Sequence, residues 1–170
     1  MLHIRPEHAA DAAGIRDVHI AAFPTGAEAR LVDALRSNRN ASVSLVAVLE
    51  ERIVGHVLFS PVSIEPKISS VRGVGLAPVA VRPEYQRQGI GAHLIEQGID
   101  HCRRAAFDFM VVLGQPRYYR RFSCRRAFSA GLTNEYGMDE AFMVLELQPG
   151  SLRGIRGLVR YGAEFSMLET

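Results

Sequence analysis

The chain has 170 residues, 48% of them hydrophobic and 22% charged, with 20 basic against 18 acidic side chains. That composition belongs to a globular chain long enough to bury its own core. It excludes a disordered polyelectrolyte, and the near balance of charge gives no general drive toward nucleic acid.

The sequence is expected to form a single domain over residues 1–170, with a core of about 1–148 and a C-terminal extension over 149–170. Leu2–Arg5 reads as a short opening strand. Pro6 then stands where a helix can begin, and Ile15, Val18, His19 and Ala22 carry the i, i+3, i+4, i+7 spacing of an amphipathic helix over Glu7–Phe23. Pro24-Thr25-Gly26 interrupts it, and Ala27–Ser37 forms a second helix that buries Leu31, Ala34 and Leu35. The period then changes. Val43–Leu49, a polar turn at Glu50-Glu51-Arg52, and Ile53–Ile64 read as a β-hairpin. Val71–Val81 is nearly all apolar, as a strand buried on both faces would be. A helix follows over Ile90–Ala105, then a strand over Phe107–Leu113, a short helix over Arg117–Phe122 and a last strand over Ala141–Leu147. The tail Ser151–Thr170 carries Gly154, Gly157 and Gly162 and is expected to be irregular, with at best a short strand. Strand, helix and strand over 71–113 make a βαβ unit beside an antiparallel hairpin. The fold class is therefore mixed α/β, with a mixed sheet and helices on both faces.

Most of the chemistry points to one stretch, Val79-Ala80-Val81-Arg82-Pro83-Glu84-Tyr85-Gln86-Arg87-Gln88-Gly89-Ile90-Gly91. A buried strand runs into a polar turn, and glycines open a helix. The first turn of a helix has unpaired N–H groups and a positive dipole end. Gly89 and Gly91 lack a Cβ and let a ligand approach the backbone, so the segment suits a diphosphate. Gln86, Arg87 and Gln88 add amides and one cation at its rim. There is no Gly-Lys-Ser/Thr of a nucleotide P-loop and no GxGxxG. The histidines are scattered and no CxxC or HExxH occurs, so no metal is expected.

At these residues the chain resembles the GNAT superfamily of N-acetyltransferases. Gln86-Arg87-Gln88-Gly89-Ile90-Gly91 fits that superfamily's pyrophosphate motif, Gln/Arg-x-x-Gly-x-Gly/Ala. Gly114-Gln115-Pro116-Arg117-Tyr118-Tyr119-Arg120-Arg121-Phe122 resembles its YhbS-like acetyltransferases, which also carry a C-terminal extension. The resemblance implies a mostly antiparallel sheet with a V-shaped split between two parallel strands, and acetyl-CoA or a related acyl-CoA as donor. It implies that main-chain N–H groups from Gln88 to Gly91, Ile90 among them, hold the pyrophosphate. Val79 and Val81 would pair with the pantetheine arm, and a strand N–H near Val79 or Ala80 would meet the oxyanion. Pro78, which cannot donate to a ladder, fits a strand that parts from its neighbour. Tyr119 falls on the tyrosine that many members use to give a proton to the departing thiolate. Ser123-Cys124 stands where those members have Gly-Phe.

The expected activity is direct transfer of an acetyl group to a primary amine of a small molecule or a protein. Glu84, His56 and Glu65 are the candidates for accepting the amine's proton, and the sequence selects none of them. Two other readings stay open: a non-catalytic acyl-CoA-binding module, and an RNA- or partner-binding domain using the arginines from Arg117 to Arg126. Nucleic acid is not the expected partner, and a homodimer is compatible with the sequence. The longest apolar stretch, Val74–Val81, falls short of the roughly 20 residues of a membrane span. No basic-then-apolar secretory segment opens the chain. With two cysteines, Cys102 and Cys124, the expectation is a cytoplasmic protein with free thiols.

Overall fold

A computed structural model describes residues 1–168. Its elements are β1 (Leu2–Pro6), α1 (Ala12–Ala22), α2 (Ala27–Ser37), β2 (Val43–Leu49), β3 (Arg52–Glu65), β4 (Gly73–Val81), α3 (Ile90–Arg104), β5 (Phe109–Leu113), α4 (Pro116–Tyr119), β6 (Arg125–Arg126), β7 (Leu132–Asn134), β8 (Phe142–Glu146) and β9 (Gly157–Arg160). Short 3-10 turns precede α1 at Ala9–Asp11, follow β4 at Pro83–Tyr85 and close the described chain at Ala163–Leu168. Glu169 and Thr170, the end of the tail expected to be irregular, lie outside the described residues. The chain divides into two compact units, and β3, β4 and α3 each pass from one to the other.

The first unit takes in residues 1–60, 77–98 and 163–168. Here β1 pairs antiparallel with β2 from Leu2↔Leu49 to Pro6↔Leu45, and β2 pairs with β3 from Val43↔Phe59 to Leu49↔Arg52. Glu50 and Glu51, the two turn residues of that hairpin, have φ of 50° and 67°. Positive φ at both positions is what a two-residue hairpin turn requires to follow the twist of its strands. A register shift at Ala47/Val48 changes the pleat. As a result Ile53 and His56 face α1, whereas Gly55 and Phe59 face α3. Helices thus cover both faces of this part of the sheet, over a core that includes Ile15, Leu31, Leu35, Leu58 and Leu94. In the tail, Glu164 accepts hydrogen bonds from Asn38 Nδ2 (3.0 Å) and Asn40 Nδ2 (2.7 Å) and so ties the last 3-10 turn to the end of α2.

Gly98 lets α3 lie close against β3. A Cβ there would come within 2.2 Å of Phe59 Cε1 and 2.6 Å of its Cζ, and Phe59 is fully buried. Gly98→Ala should gain about 1 kcal/mol in helix propensity and still destabilise the protein by roughly 1–3 kcal/mol through overpacking. The midpoint of urea denaturation checks this.

The second unit takes in residues 61–76 and 99–162. The first residues of β4 pair in parallel with β5, Gly73↔Phe109 to Gly75↔Val111, and this ladder ends two residues before Ala77-Pro78. β5 pairs antiparallel with β8 along its whole length, and β6 pairs with β8 at Arg125↔Val144 and Arg126↔Met143. A second ladder joins the end of β3 to β9 antiparallel, and β9 to β7 in parallel. Among the described residues no helix is long and apolar enough to cross a membrane.

Candidate functional site

The strand–turn–helix segment lies wholly in the first unit. Val79 and Val81 are half-buried on β4, with buried Ala80 between them. The end of β4 is pinned to β3: Arg82 donates from its main-chain N–H to Val54 O at 2.9 Å and from Nε to Ile53 O at 3.2 Å. Tyr85 N–H returns to Arg82 O at 2.9 Å and Gln86 N–H to Pro83 O at 3.3 Å, which closes the 3-10 turn. Gln86 Nε2 donates to Val81 O at 2.9 Å. Its amide N–H therefore braces the loop against the strand, rather than serving only as a rim group. Arg87 (φ 64°) and Gly89 (φ 85°) both take the left-handed conformation and turn the chain into α3.

Gly89 is the cap of α3. Its carbonyl accepts the first helical bond, from His93 N–H at 3.0 Å. The N–H groups of the first turn, at Ile90, Gly91 and Ala92, consequently have no acceptor within the helix. A Cβ at Gly89 would meet nothing within 4 Å, and one at Gly91 would meet only Val81 Cγ2, at an ordinary 3.7 Å. Gly89 is explained by its backbone conformation. Gly91 has no such reason: the protein leaves room for a side chain at a helical position where alanine would be favoured by about 1 kcal/mol. Bare backbone donors facing open space suit the oxygens of a diphosphate.

Tyr119 lies in the second unit, at the end of α4, and is 8% exposed. Its ring meets Tyr118 edge-on at 5.1 Å between centroids and tilts against Phe122 at 6.0 Å. Gly114 makes space for it, since a Cβ at Gly114 would come within 2.3 Å of Tyr119 Cε2. Burial above all, with Tyr118 and Cys124 nearby, pushes the phenol up to about 12, so it keeps its proton at neutral pH. Ser123 has φ of 68°. It therefore adopts the conformation that glycine favours at that point of the resembled pattern, and the serine does not disturb the turn after Tyr119.

The neighbouring arginines do not form one free cationic face. Arg126 pairs with Glu140, Arg125 lies 3.7 Å from Glu146, and the Arg121 guanidinium sits 4.4 Å over the Tyr118 ring. The candidate proton acceptors differ in their surroundings. Glu65 is held by Arg160 at 2.7 Å, Glu84 is exposed in the turn, and His56 is fully buried.

His56 belongs to a polar chain in the first unit that sequence reasoning does not find, because α1, α2, β2, β3 and the loop residue Glu7 each contribute one member. His19 Nε2 lies 2.8 Å from His56 Nδ1, and His56 Nε2 lies 2.8 Å from Ser44 Oγ. The Ser44 hydroxyl donates to Glu7 Oε1, and Arg36 Nε donates to Glu7 Oε2. Glu7 accepts at both carboxylate oxygens, which sets the direction at Ser44 and in turn at His56 Nε2. Ser44 gives its proton to Glu7 and accepts from His56 Nε2–H, and His56 Nδ1 accepts from His19 Nε2–H. The last of these directions requires a neutral His56, and burial keeps both imidazoles neutral. Burial, with Arg36 nearby, lowers His19 to about 4 and holds His56 well below the usual histidine range. Burial likewise pushes the unpaired thiols Cys102 and Cys124 up to about 12, which leaves them inert.

Residues 12–122 match the acetyltransferase (GNAT) family. The N-acetyltransferase YhbS of Escherichia coli K12 is 35% identical over 165 residues, covering 96% of this chain and 98% of YhbS. The N-acetyltransferase YjhQ of the same organism is 41% identical over 113 residues, 65% of this chain and 62% of YjhQ. The crystal structure of E. coli YhbS in complex with CoA superposes with a TM-score of 0.91 at 35% identity, covering 97% of this chain and 92% of that one. A GNAT family acetyltransferase from Brucella melitensis in complex with acetyl-CoA superposes with a TM-score of 0.81, also at 35% identity, covering 97% and 98%.

Proposed function

This chain belongs to the GNAT family of acetyltransferases, and on that premise we propose that it transfers an acetyl group directly from acetyl-CoA to a primary amine of a small molecule or a protein. The observation that carries the reading is the bare first turn of α3, where Gly91 leaves main-chain donors open although the protein has room for a side chain. The CoA and acetyl-CoA bound by the YhbS and Brucella structures support the same donor here. In this reading the whole chain, including the extension over 149–170, is one N-acetyltransferase domain working in the cytoplasm.

The donor supplies an activated acyl carbon, and the protein supplies position and charge. The N–H groups from Gln88 to Gly91 hold the pyrophosphate with charge-assisted hydrogen bonds. Arg87 adds a cation, and Gln86 keeps the loop folded against Val81. The main chain of Val79 and Val81 guides the pantetheine arm, and an N–H at Val79 or Ala80 faces the carbonyl oxygen where charge develops. In this reading the Tyr119 phenol serves the departing sulfur. With that phenol at about 12 and an ordinary thiol near 8.5, full transfer of its proton costs roughly 5 kcal/mol. Tyr119 therefore stabilises the sulfur by donating a hydrogen bond, and the proton released by the amine completes neutralisation.

Incubation with acetyl-CoA and pooled primary amines should release free thiol in step with amine loss. Tyr119→Phe should lower kcat by about 10- to 1000-fold with CoA affinity nearly unchanged. Thiol release that needs no amine, or an unchanged kcat in the variant, would remove the transfer reading or the role of Tyr119 respectively. The nucleic-acid reading loses support from the ion pairs that occupy Arg125 and Arg126.

A further inference from the structure

The tail, read from sequence as irregular, builds one wall of a cavity of about 510 Å³ in the second unit. The cavity contains none of the residues from Val79 to Gly91 and not Tyr119, and every residue lining it lies beyond the stretch 12–122 that matches the family. Three arginines line it, Arg125, Arg153 and Arg156, against one acidic residue, Glu146. Glu146 is already engaged: its Oε2 accepts the main-chain N–H of Leu152 at 2.9 Å, and its Oε1 lies 3.7 Å from Arg125. Among the described residues, Arg153 and Arg156 make no ion pair and no side-chain hydrogen bond.

The wall is built rather than loose. Leu152 is buried and anchors a turn closed by Arg153 N–H to Gly150 O (3.1 Å) and Ile155 N–H to Leu152 O (3.0 Å). Gly131, at φ 84°, lets the chain at Ile155 and Arg156 come close, since a Cβ there would lie 2.9 Å from Ile155 O, and Gly157 N–H bonds Gly131 O at 3.1 Å. A hydrogen-bonded turn thus carries two arginines without ion pairs on the wall of a cavity that Arg125 also lines, in a volume within the range of small-molecule pockets.

We propose that this cavity binds a small molecule through a phosphate monoester group. Guanidiniums match phosphate oxygens with paired N–H donors. Two uncompensated cations, left after Glu146 offsets one of the three, match the dianion. The proposal does not rest on the acetyl-transfer reading, because the cavity shares no residue with the segment that carries it.

O-phosphoserine is a suitable probe, titrated by calorimetry at low salt into protein saturated with CoA so that phosphate sites in the cradle are filled. Saturable binding at one equivalent is expected. The double variant Arg153→Gln, Arg156→Gln should weaken it at least tenfold, and the control Arg30→Gln, on α2 and not among the lining residues, should not change it. As a second readout on the unmodified chain, the probe should shift the amide resonances of residues 129–131 and 150–156. Serine without the phosphate should do neither, which separates recognition of the phosphate from recognition of the amino acid. Absence of binding at millimolar probe, equal binding by the double variant, competition with CoA, or resonance shifts confined elsewhere would each overturn the proposal.

Discussion

Replacing Gly91 by Val is expected to leave the protein folded and to weaken CoA binding by about 100-fold. The folded chain has space for the new side chain, because a Cβ at this position meets only Val81 Cγ2 at 3.7 Å. Valine is also a better helix former than glycine, so the melting temperature should stay level or rise slightly. A helical Cβ leans toward the N-terminus, which places the branched side chain over the unpaired N–H groups of the first turn. Losing two charge-assisted hydrogen bonds to a phosphate costs on the order of 3 kcal/mol, and that is about two decades in Kd. Calorimetric titration with CoA beside a thermal melt reads both halves. Unchanged affinity in a folded variant would mean that the donor is held elsewhere. Gly89→Val is the poorer experiment, because φ of 85° makes any side chain there strained and mixes a local folding defect with the binding loss.

That contrast between the two glycines could not be drawn from the sequence, where both simply suggest close approach of a ligand. What the sequence does carry is local. Ala27–Ser37 and Val43–Leu49 fall on α2 and β2 to the residue, because each has an unbroken period and a polar stop at both ends. The first helix is legible in type but begins later than expected. The Asp11 carboxylate accepts the His8 main-chain N–H at 2.6 Å and Arg5 Nη1 at 2.7 Å, which holds Ala9–Asp11 in a separate 3-10 turn. The strand expected over Phe107–Leu113 starts at Phe109, where pairing with β8 begins at Glu146.

Elements that owe their shape to distant partners were not legible. β6 has two residues and β7 three, too few to show a period. β9, the short strand the tail was allowed, exists because Ser63–Glu65, almost a hundred positions earlier, offers it an edge. The candidate site divides in the same way. The cradle is one contiguous motif and reads directly. The chain from Glu7 through Ser44 and His56 to His19 joins residues 12 to 37 positions apart, and each of those residues looks unremarkable in its own neighbourhood.

That buried chain carries the second large expected effect: stability should fall steadily between pH 7.5 and 5.5, before the carboxylates respond. An unfolded histidine titrates near 6.5, whereas His19 in the folded protein is lowered to about 4, chiefly by burial. Above the unfolded value both states hold a neutral ring, and the full stability is present. Below it the unfolded chain takes up protons that the folded chain refuses. The free energy of unfolding therefore rises with pH through this window and is lost as pH falls. One such site contributes about 1.4 kcal/mol of loss by pH 5.5 and roughly 3 kcal/mol by pH 4. His56, fully buried and also held well below 6.5, acts in the same direction. The carboxylates Asp11 and Glu164, lowered by Arg5 and by Asn38 respectively, add their own losses only below their unfolded values near 4, so the upper window isolates the imidazoles. Urea denaturation at half-unit pH steps should show a midpoint that drops from pH 7.5 to 5.5, and the drop should shrink in His19→Gln, whose amide cannot be protonated in that range. A midpoint flat across those two units would mean that the two rings accept protons in place and are not held neutral by burial.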